Sequence, residues 1–512
     1  MSARRAALIF TFVAATLALA WAGFLNGQAF FFPDTSAYLR GADAGMARFF
    51  GVTSEWTPAV IGNGASNDEM DRQPATGVHA TAPVSETDGG QKPTVILGRS
   101  PYYGGLLYLG HVTGGFWLTV IVHAALVALS VLLTLRLFFD DALPRASIVL
   151  LVLAIATPVS FFVSLLIPDI LAGIGILAGS VLIVLGHRLR RWELIVWFLL
   201  LAFAVVSHPS HLLTAIGLGG VGMLWWIAHS RRLTNLTGIA VVFAAVLLAF
   251  GAQKALSIGV ERTVGIEPLR PPFLTIRALA DGTGYEYLRA TCPQNGLTIC
   301  RFADRFDKGL SWGKLLWSKD PDVGIFMGQN EATRRALSAE QYKFYLAAFI
   351  YDPRRQIMRW LKNWWVQLKN YHITIANYQN FQKTGYAKTI PASYYEDMRE
   401  SEAFEGTWPS NTYNRLIDTG LATALVAIVV LLALSFSGRS RRLDALLLTL
   451  AVFIILGILG NAAITGNFSG TAHRYNARVI WLIPFIALMF DFDVRGNWWR
   501  RVLRSGEARK KD

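Results

Sequence analysis

The sequence predicts an all-α polytopic membrane protein of about ten transmembrane helices with two large segments on the outer side. Three observations carry this. Hydrophobic residues make up 53% of the 512 residues and charged residues only 16%, against about 25% charged in an average soluble chain. The apolar residues come in runs long enough for an α-helix to cross the hydrocarbon core, about 20 residues, with its backbone polar groups satisfied internally. The basic residues alternate from one side of these runs to the other. The same composition excludes a disordered chain, a collagen-like repeat and, with two cysteines, a disulfide scaffold.

The expected spans lie near 6–24, 116–137, 146–166, 170–186, 194–207, 212–228, 234–253, 419–437, 445–463 and 477–491. Two of them, 194–207 and 477–491, are short. Threaded from a cytoplasmic Met1, the inner segments collect Arg4 and Arg5, Arg136 and Arg145, Arg188, Arg190 and Arg191, then Arg231 and Arg232. Arg439, Arg441, Arg442 and a basic tail from Arg495 to Lys511 bring the inner total to nineteen. The three short outer turns hold only Arg474. Basic residues in short loops stay cytoplasmic, so an even number of spans with both termini inside fits the pattern. The net charge of +14 thus reads as membrane orientation. No helix-turn-helix, zinc-finger or RNA-binding signature accompanies it, and nucleic acid is dismissed as a partner.

The first span has a rival reading as a cleaved signal peptide, from its Arg-Arg start and Ala18-Leu19-Ala20. The apolar run continues through Trp21, Phe24 and Leu25, which favours an uncleaved helix. Residues 25–115 form the first outer segment, with a polar, low-complexity stretch at 62–93 that reads as a mobile loop. The second, 254–418, carries 22 Lys+Arg against 17 Asp+Glu and is long enough for a lid or small domain. Residues 419–512 complete the bundle and end in the basic tail. Cys292 and Cys300, in CPQNGLTIC, both fall in the second segment. An oxidising exterior favours a local disulfide there. The rival is a zinc pair, for which no second Cys/His pair lies nearby.

Polar residues at the outer span ends are the candidate chemistry. Asp34 follows the first span in FFFPDTSAYLRGAD, and Asp169 sits in the turn LLIPDILAG. His208 and His211 form SHPSH, and His473, Arg474 and Arg478 flank the last span in GTAHRYNARVIWLIP. Each has a bland alternative. Asp34 and Asp169 suit helix caps, the histidine pair suits metal ligands or ordinary interfacial side chains, and the arginines suit snorkelling to headgroups. Together they would make an anion-binding, acid/base-capable site on the outer surface.

An Asp just after the first span, followed by a Tyr-Leu pair (Asp34, Tyr38, Leu39), resembles the first outer loop of GT-C fold glycosyltransferases. GRSPYYGGLL, from Gly98 through Arg99 and Pro101, is similar to the Pro-containing approach to their second span. Asp169 and the Arg474-Tyr475 pair fit the same pattern. The resemblance covers the topology of about the first 250 residues and a few short motifs. It departs from the family in lacking an Asp-Xaa-Asp or Asp-Glu pair in the first loop, and 254–418 looks like bacterial membrane proteins of unassigned function.

The resemblance implies transfer of a sugar from a polyprenyl-phosphate donor to an envelope glycan, lipid or protein on the periplasmic side of the bacterial inner membrane. In that reading Asp34 is the base for the acceptor hydroxyl. Arg474 and Arg478, helped by His473, stabilise the leaving phosphate, with Arg478 the sharper choice because a charge inside a span is costly. Asp169 positions the acceptor, pairs with an arginine or holds a divalent metal; His208, His211, Arg99 and Tyr38 are secondary candidates. No cofactor follows beyond that possible metal ion.

Asp352-Pro353 is a helix start. After it Trp360, Leu361, Trp364, Trp365 and Leu368 gather at helical spacing opposite Arg355, Arg359, Lys362 and Lys369. An outer-leaflet amphipathic helix and a core face of the outer segment both account for this. Competing functions are a transporter, for which no inverted repeat is visible, a glycan polymerase or ligase using the same carrier, and a scaffold. Convergence of Asp34, Asp169 and Arg478 in one outward-facing cavity distinguishes an enzyme from a scaffold.

Overall fold

The computed structural model describes residues 3–57, 96, 98–229, 233, 236–308, 312–378, 390–437 and 442–495. Its elements among these are helices, with two isolated bridges, Phe30 to Leu165 and Ile96 to Leu269. The expected loop at 62–93 and most of the basic tail lie outside the described residues.

The chain begins with α1 (Ala3–Ala18), α2 (Trp21–Leu25) and α3 (Pro33–Phe50). Next come α4 (Pro101–Gly114), α5 (Trp117–Arg136), α6 (Ala142–Ala156) and α7 (Val159–Ser164). The central group is α8 (Ile170–Leu185), α9 (Arg191–Ser207), α10 (Pro209–His229) and α11 (Leu236–Val264). The segment between α11 and the last group holds α12 (Phe273–Asp281), α13 (Thr283–Thr291), α14 (Trp312–Trp317), α15 (Glu331–Tyr351), α16 (Pro353–Lys369), α17 (Ala392–Arg399) and α18 (Glu402–Glu405). The last group is α19 (Ser410–Phe436), α20 (Ala445–Phe468), α21 (His473–Ala477) and α22 (Leu482–Arg495).

Six of these are long and apolar enough to cross a bilayer: α5, α8 with its 3₁₀ extension to Arg188, α10, α11, α19 and α20. The other four expected spans are helical but shorter. The first is split into α1 and α2 at Leu19–Ala20, and 146–166 into α6 and α7 at Thr157–Pro158. The second break follows from Pro158, which forces the residue before it out of the helical region; Thr157 is extended (φ −142°, ψ 163°). The last span starts five residues late, at Leu482, behind the separate short helix α21. Helices α11 and α19 also run through the expected boundaries at 254 and 418.

Helix α8 is the axis of the bundle. All its residues are buried, and α5, α9, α10, α11 and α20 pack around it. Close approach needs glycine: a Cβ on Gly238 of α11 would lie 1.6 Å from the Leu182 carbonyl oxygen, so only Gly fits there. Helices α12 to α15 have their own core, built from residues such as Ile276, Leu288, Phe302, Leu316, Phe326 and Phe344. A disulfide joins Cys292 to Cys300 at its edge.

Candidate functional site: a cationic cavity around Asp34

The expected polar residues meet where the ends of α3, α8, α10 and α21 come together. Asp34 lies in the first turn of α3 behind Pro33 and does not cap it, since the N-cap residue is Phe32. Its Oδ1 accepts from Arg99 at 2.6 Å, and Arg474 lies 3.8 Å from Oδ2. Asp169 holds the N-cap position of α8 yet makes no capping hydrogen bond. Its Oδ1 accepts from Arg478 at 2.6 Å, and its Oδ2 lies 3.7 Å from Arg474. Arg474 therefore stands between the two carboxylates. Both capping readings fail for one reason: a guanidinium is the stronger partner for a buried carboxylate.

The two late arginines differ in kind. Arg478 is fully buried and donates to Asp169, to Ser210 Oγ at 2.9 Å and to Asn461 Oδ1 at 3.1 Å. It stands behind the cavity wall, which corrects the expectation that it is the sharper phosphate ligand. Arg474 lines the cavity and lies over the rings of Phe32 and Tyr475 at 4.4 and 4.7 Å. Burial opposes its charge, but Tyr475, Asp169 and Asp34 outweigh that and raise its pKa. Arg99 is raised likewise, burial being overcome by Asp34 and Tyr38.

The cavity holds about 450 Å³. Asp34, Tyr38, Arg99, His208, Arg277 and Arg474 supply its polar side. Leu213, Phe273, Ile276, Trp317, Ile464 and Phe468 supply an apolar side. Tyr38 packs edge-on against Tyr103, 5.2 Å between centroids, and burial raises its pKa, so it stays a protonated hydroxyl.

His208 has a defined tautomer. The Ser210 backbone N–H donates to its Nδ1 at 3.2 Å, so Nδ1 is an acceptor and the ring proton belongs on Nε2. Burial, His211 and three arginines push its pKa well down. It is thus a neutral N–H donor. The secondary candidate His211 is not part of the cavity: it is buried, with Nδ1 3.0 Å from the Ala204 carbonyl. Its Nε2 has no partner and borders a separate small void with Thr214 and Asn461. His473 is likewise outside. Its Nδ1 accepts the His372 backbone N–H at 3.1 Å and its ring stacks on His372, which pairs with Asp418 at 2.9 Å.

Arg277 has no counterpart among the sequence candidates. It comes from α12, pairs with Asp281 one turn on, and lines the cavity. The i, i+4 spacing in RALAD was its only signal, and that spacing ordinarily marks a surface pair.

The donor set suits an anion. Asp34 and Asp169 are both engaged by guanidinium groups, and Nδ1 of His208 is occupied. Among the described residues no three His, Cys, Asp or Glu side chains gather in a way that could hold a metal ion. Arg99, Arg277, Arg474, the Nε2–H of His208 and the Tyr38 hydroxyl all offer protons. One carboxylate, Asp34, faces the same space. No family model, curated protein or solved structure matches the chain, so the chemistry of this cavity is argued from its own residues.

Proposed function

We propose that the chain is a polytopic glycosyltransferase of the GT-C type, transferring a sugar from a polyprenyl-phosphate donor to an acceptor hydroxyl. The observation that carries this is a single cavity whose lining combines cationic side chains, apolar side chains and one carboxylate. A lipid phosphate matches the first two features. Leu213, Phe273 and Phe468 are each more than a third exposed, and two of them belong to the candidate spans α10 and α20. An isoprenoid chain leaving the cavity between those helices would pass into the bilayer.

In this reading Arg99 and Arg474 hold the phosphate, and charge growing on it as the bond breaks is met by donors already in place. The acceptor oxygen attacks the anomeric carbon, the carbon–oxygen bond to the phosphate breaks, and the hydroxyl proton passes to Asp34. Asp169 is a positioning residue, fixing Arg474 and Arg478. Of Asp34, Asp169 and Arg478, only Asp34 lines the cavity; the other two are linked to it through Arg474. Ten spans, with both termini on the cytoplasmic side of a bacterial inner membrane, remain the topology we propose, α1, α6, α9 and α22 being the short members.

The test is transfer of labelled sugar from a polyprenyl-phosphate donor by purified protein. Asp34→Asn keeps the shape and removes the base. It should cut transfer by about two to four orders of magnitude while leaving folded protein in the membrane. Full activity in this variant would sink the assignment.

A further inference from the structure

Helix α16 is amphipathic with its faces reversed. Its protein-facing side carries Gln356, Asn363 and Gln367 at helical spacing, together with Trp360 and Trp364. Gln356 and Gln367 are buried. Gln356 Nε2 donates to Asp281 Oδ2 and Asn363 Nδ2 to Asp281 Oδ1, both at 3.0 Å. Gln367 bonds the Ala472 backbone as donor and as acceptor, both at 2.9 Å. The opposite side leaves Met358 61%, Leu361 49% and Trp365 61% exposed. Helix α15, joined to α16 through Asp352, adds Tyr342, Leu346 and Ile350, one every four residues and all more than half exposed. Helix α15 also buries Leu337, Phe344 and Ala348, so it is apolar on both sides; a helix facing water keeps its outer side polar, and neither helix does.

Two observations say what covers this face. Arg354, Lys362 and Lys369 interleave with the exposed apolar residues, and Lys369 Nζ lies 5.3 Å from the Trp365 ring centroid. The face is therefore basic as well as apolar. Helix α16 also packs along α20, a candidate span, with Trp364 Nε1 donating to the Leu459 carbonyl at 3.1 Å. Helix α16 thus lies beside a candidate span, with its outward face turned away from it.

We propose that the outward face of α15 and α16 docks on an anionic lipid bilayer, apolar side chains at headgroup depth and basic ones held by lipid phosphates. The inward face of α16 meanwhile holds Asp281, which holds Arg277 in the cavity wall. Seating on lipid therefore supports that wall. This stands whether or not the cavity transfers a sugar.

The experiment uses the full chain in nanodiscs. The native cysteines are joined to each other, so one added cysteine takes a nitroxide alone. Met358→Cys and Leu361→Cys report on α16, Ile350→Cys independently on α15, and Asp322→Cys is the aqueous control. Accessibility to oxygen, which concentrates in the bilayer, is compared with accessibility to a water-soluble nickel chelate. The expected result is a ratio shifted toward oxygen at 350, 358 and 361, more so in phosphatidylglycerol than in phosphatidylcholine discs, with 322 aqueous in both. Water-like values at all three positions, or no difference between the lipids, would overturn the proposal. So would spin–spin broadening between labels, which would assign the face to a second copy of the chain.

Discussion

Helices α8 and α16 have 16 and 17 residues and opposite relations between burial and polarity. Helix α8 is buried all round and almost wholly apolar, with Ser180 its one polar side chain. Helix α16 buries glutamines and exposes Met358, Leu361 and Trp365. The difference lies in what surrounds them. The neighbours of α8 are helices whose backbone groups are already satisfied, so they offer it only packing. Helix α16 lies over α12 and the turn before α21, where a carboxylate and a free stretch of backbone need partners. Burial follows the neighbours' unmet needs, and a polar side chain buried against such a need stabilises the fold.

The polar group at the head of α8 gives the largest way to break this comparison. Arg478→Met leaves the Asp169 carboxylate buried without its hydrogen-bonded cation, Arg474 remaining at 3.7 Å, and takes a donor from Ser210 and Asn461. Removing one partner of a buried pair costs about 3–5 kcal/mol, read as a lowered unfolding midpoint in detergent. Adding Asp169→Asn to the same chain should recover part of the loss. No recovery would mean that Asp169 is not what Arg478 neutralises.

Next comes the buried face of α16. Gln356→Leu swaps a polar for an apolar residue at a buried site, which in α8 would be harmless. Here it strands Asp281 Oδ2 and the Thr283 hydroxyl, both bonded to Gln356. The expected cost is about 1–3 kcal/mol, measured by the same unfolding assay. A stabilised variant would show that the reversed faces carry no energy.

A third way uses acid. The folded-state pKa of His208 lies well below its ordinary 6.5, through burial first and the nearby cations second. As pH falls through about 6.5 the unfolded chain takes up this proton and the folded chain does not, so stability declines; above that pH the group contributes nothing. The slope is at most about 1.4 kcal/mol per pH unit for one proton. His208→Asn, whose side-chain oxygen can still accept from Ser210, should lose this part of the acid sensitivity. Identical profiles for the two proteins would refute it.

The sequence makes part of this molecule legible. Long apolar runs mark α5, α8, α10, α11, α19 and α20 because a span is a local property of about 20 residues. Pro158 carried the signal for the break between α6 and α7, and a count of apolar residues passes over it. The gathering of Asp34, Asp169, Arg474 and Arg478 was readable because charges at span ends have few places to go. Which arginine faces the cavity was not. Arg474 and Arg478 lie one helical turn apart, and only the fold distinguishes the lined wall from what stands behind it. Arg277 was illegible for a different reason: its role depends on α16 reaching Asp281 from 75 or 82 residues away in the chain. The aromatic cluster of α16 was visible, but it divides between two faces, Leu361 and Trp365 being exposed. Trp360 and Trp364 face inward, donating to Tyr345 and Leu459, because an indole N–H gives a buried ring one polar contact.

The smallest effect is the sharpest check on the outward face of α16. In detergent Met358→Gln alters a side chain that is 61% exposed and touches none of the Gln356, Asn363 and Gln367 contacts. A surface change of this kind moves stability by no more than about 0.5 kcal/mol. In a lipid bilayer the same substitution places an amide at headgroup depth where a thioether had been. The loss there should exceed the loss in detergent, and the gap between the two media measures what the lipid contributes. The opposite pattern, a loss in detergent as large as in lipid, would mean that Met358 is covered by protein and that α16 is an ordinary helix of the outer segment.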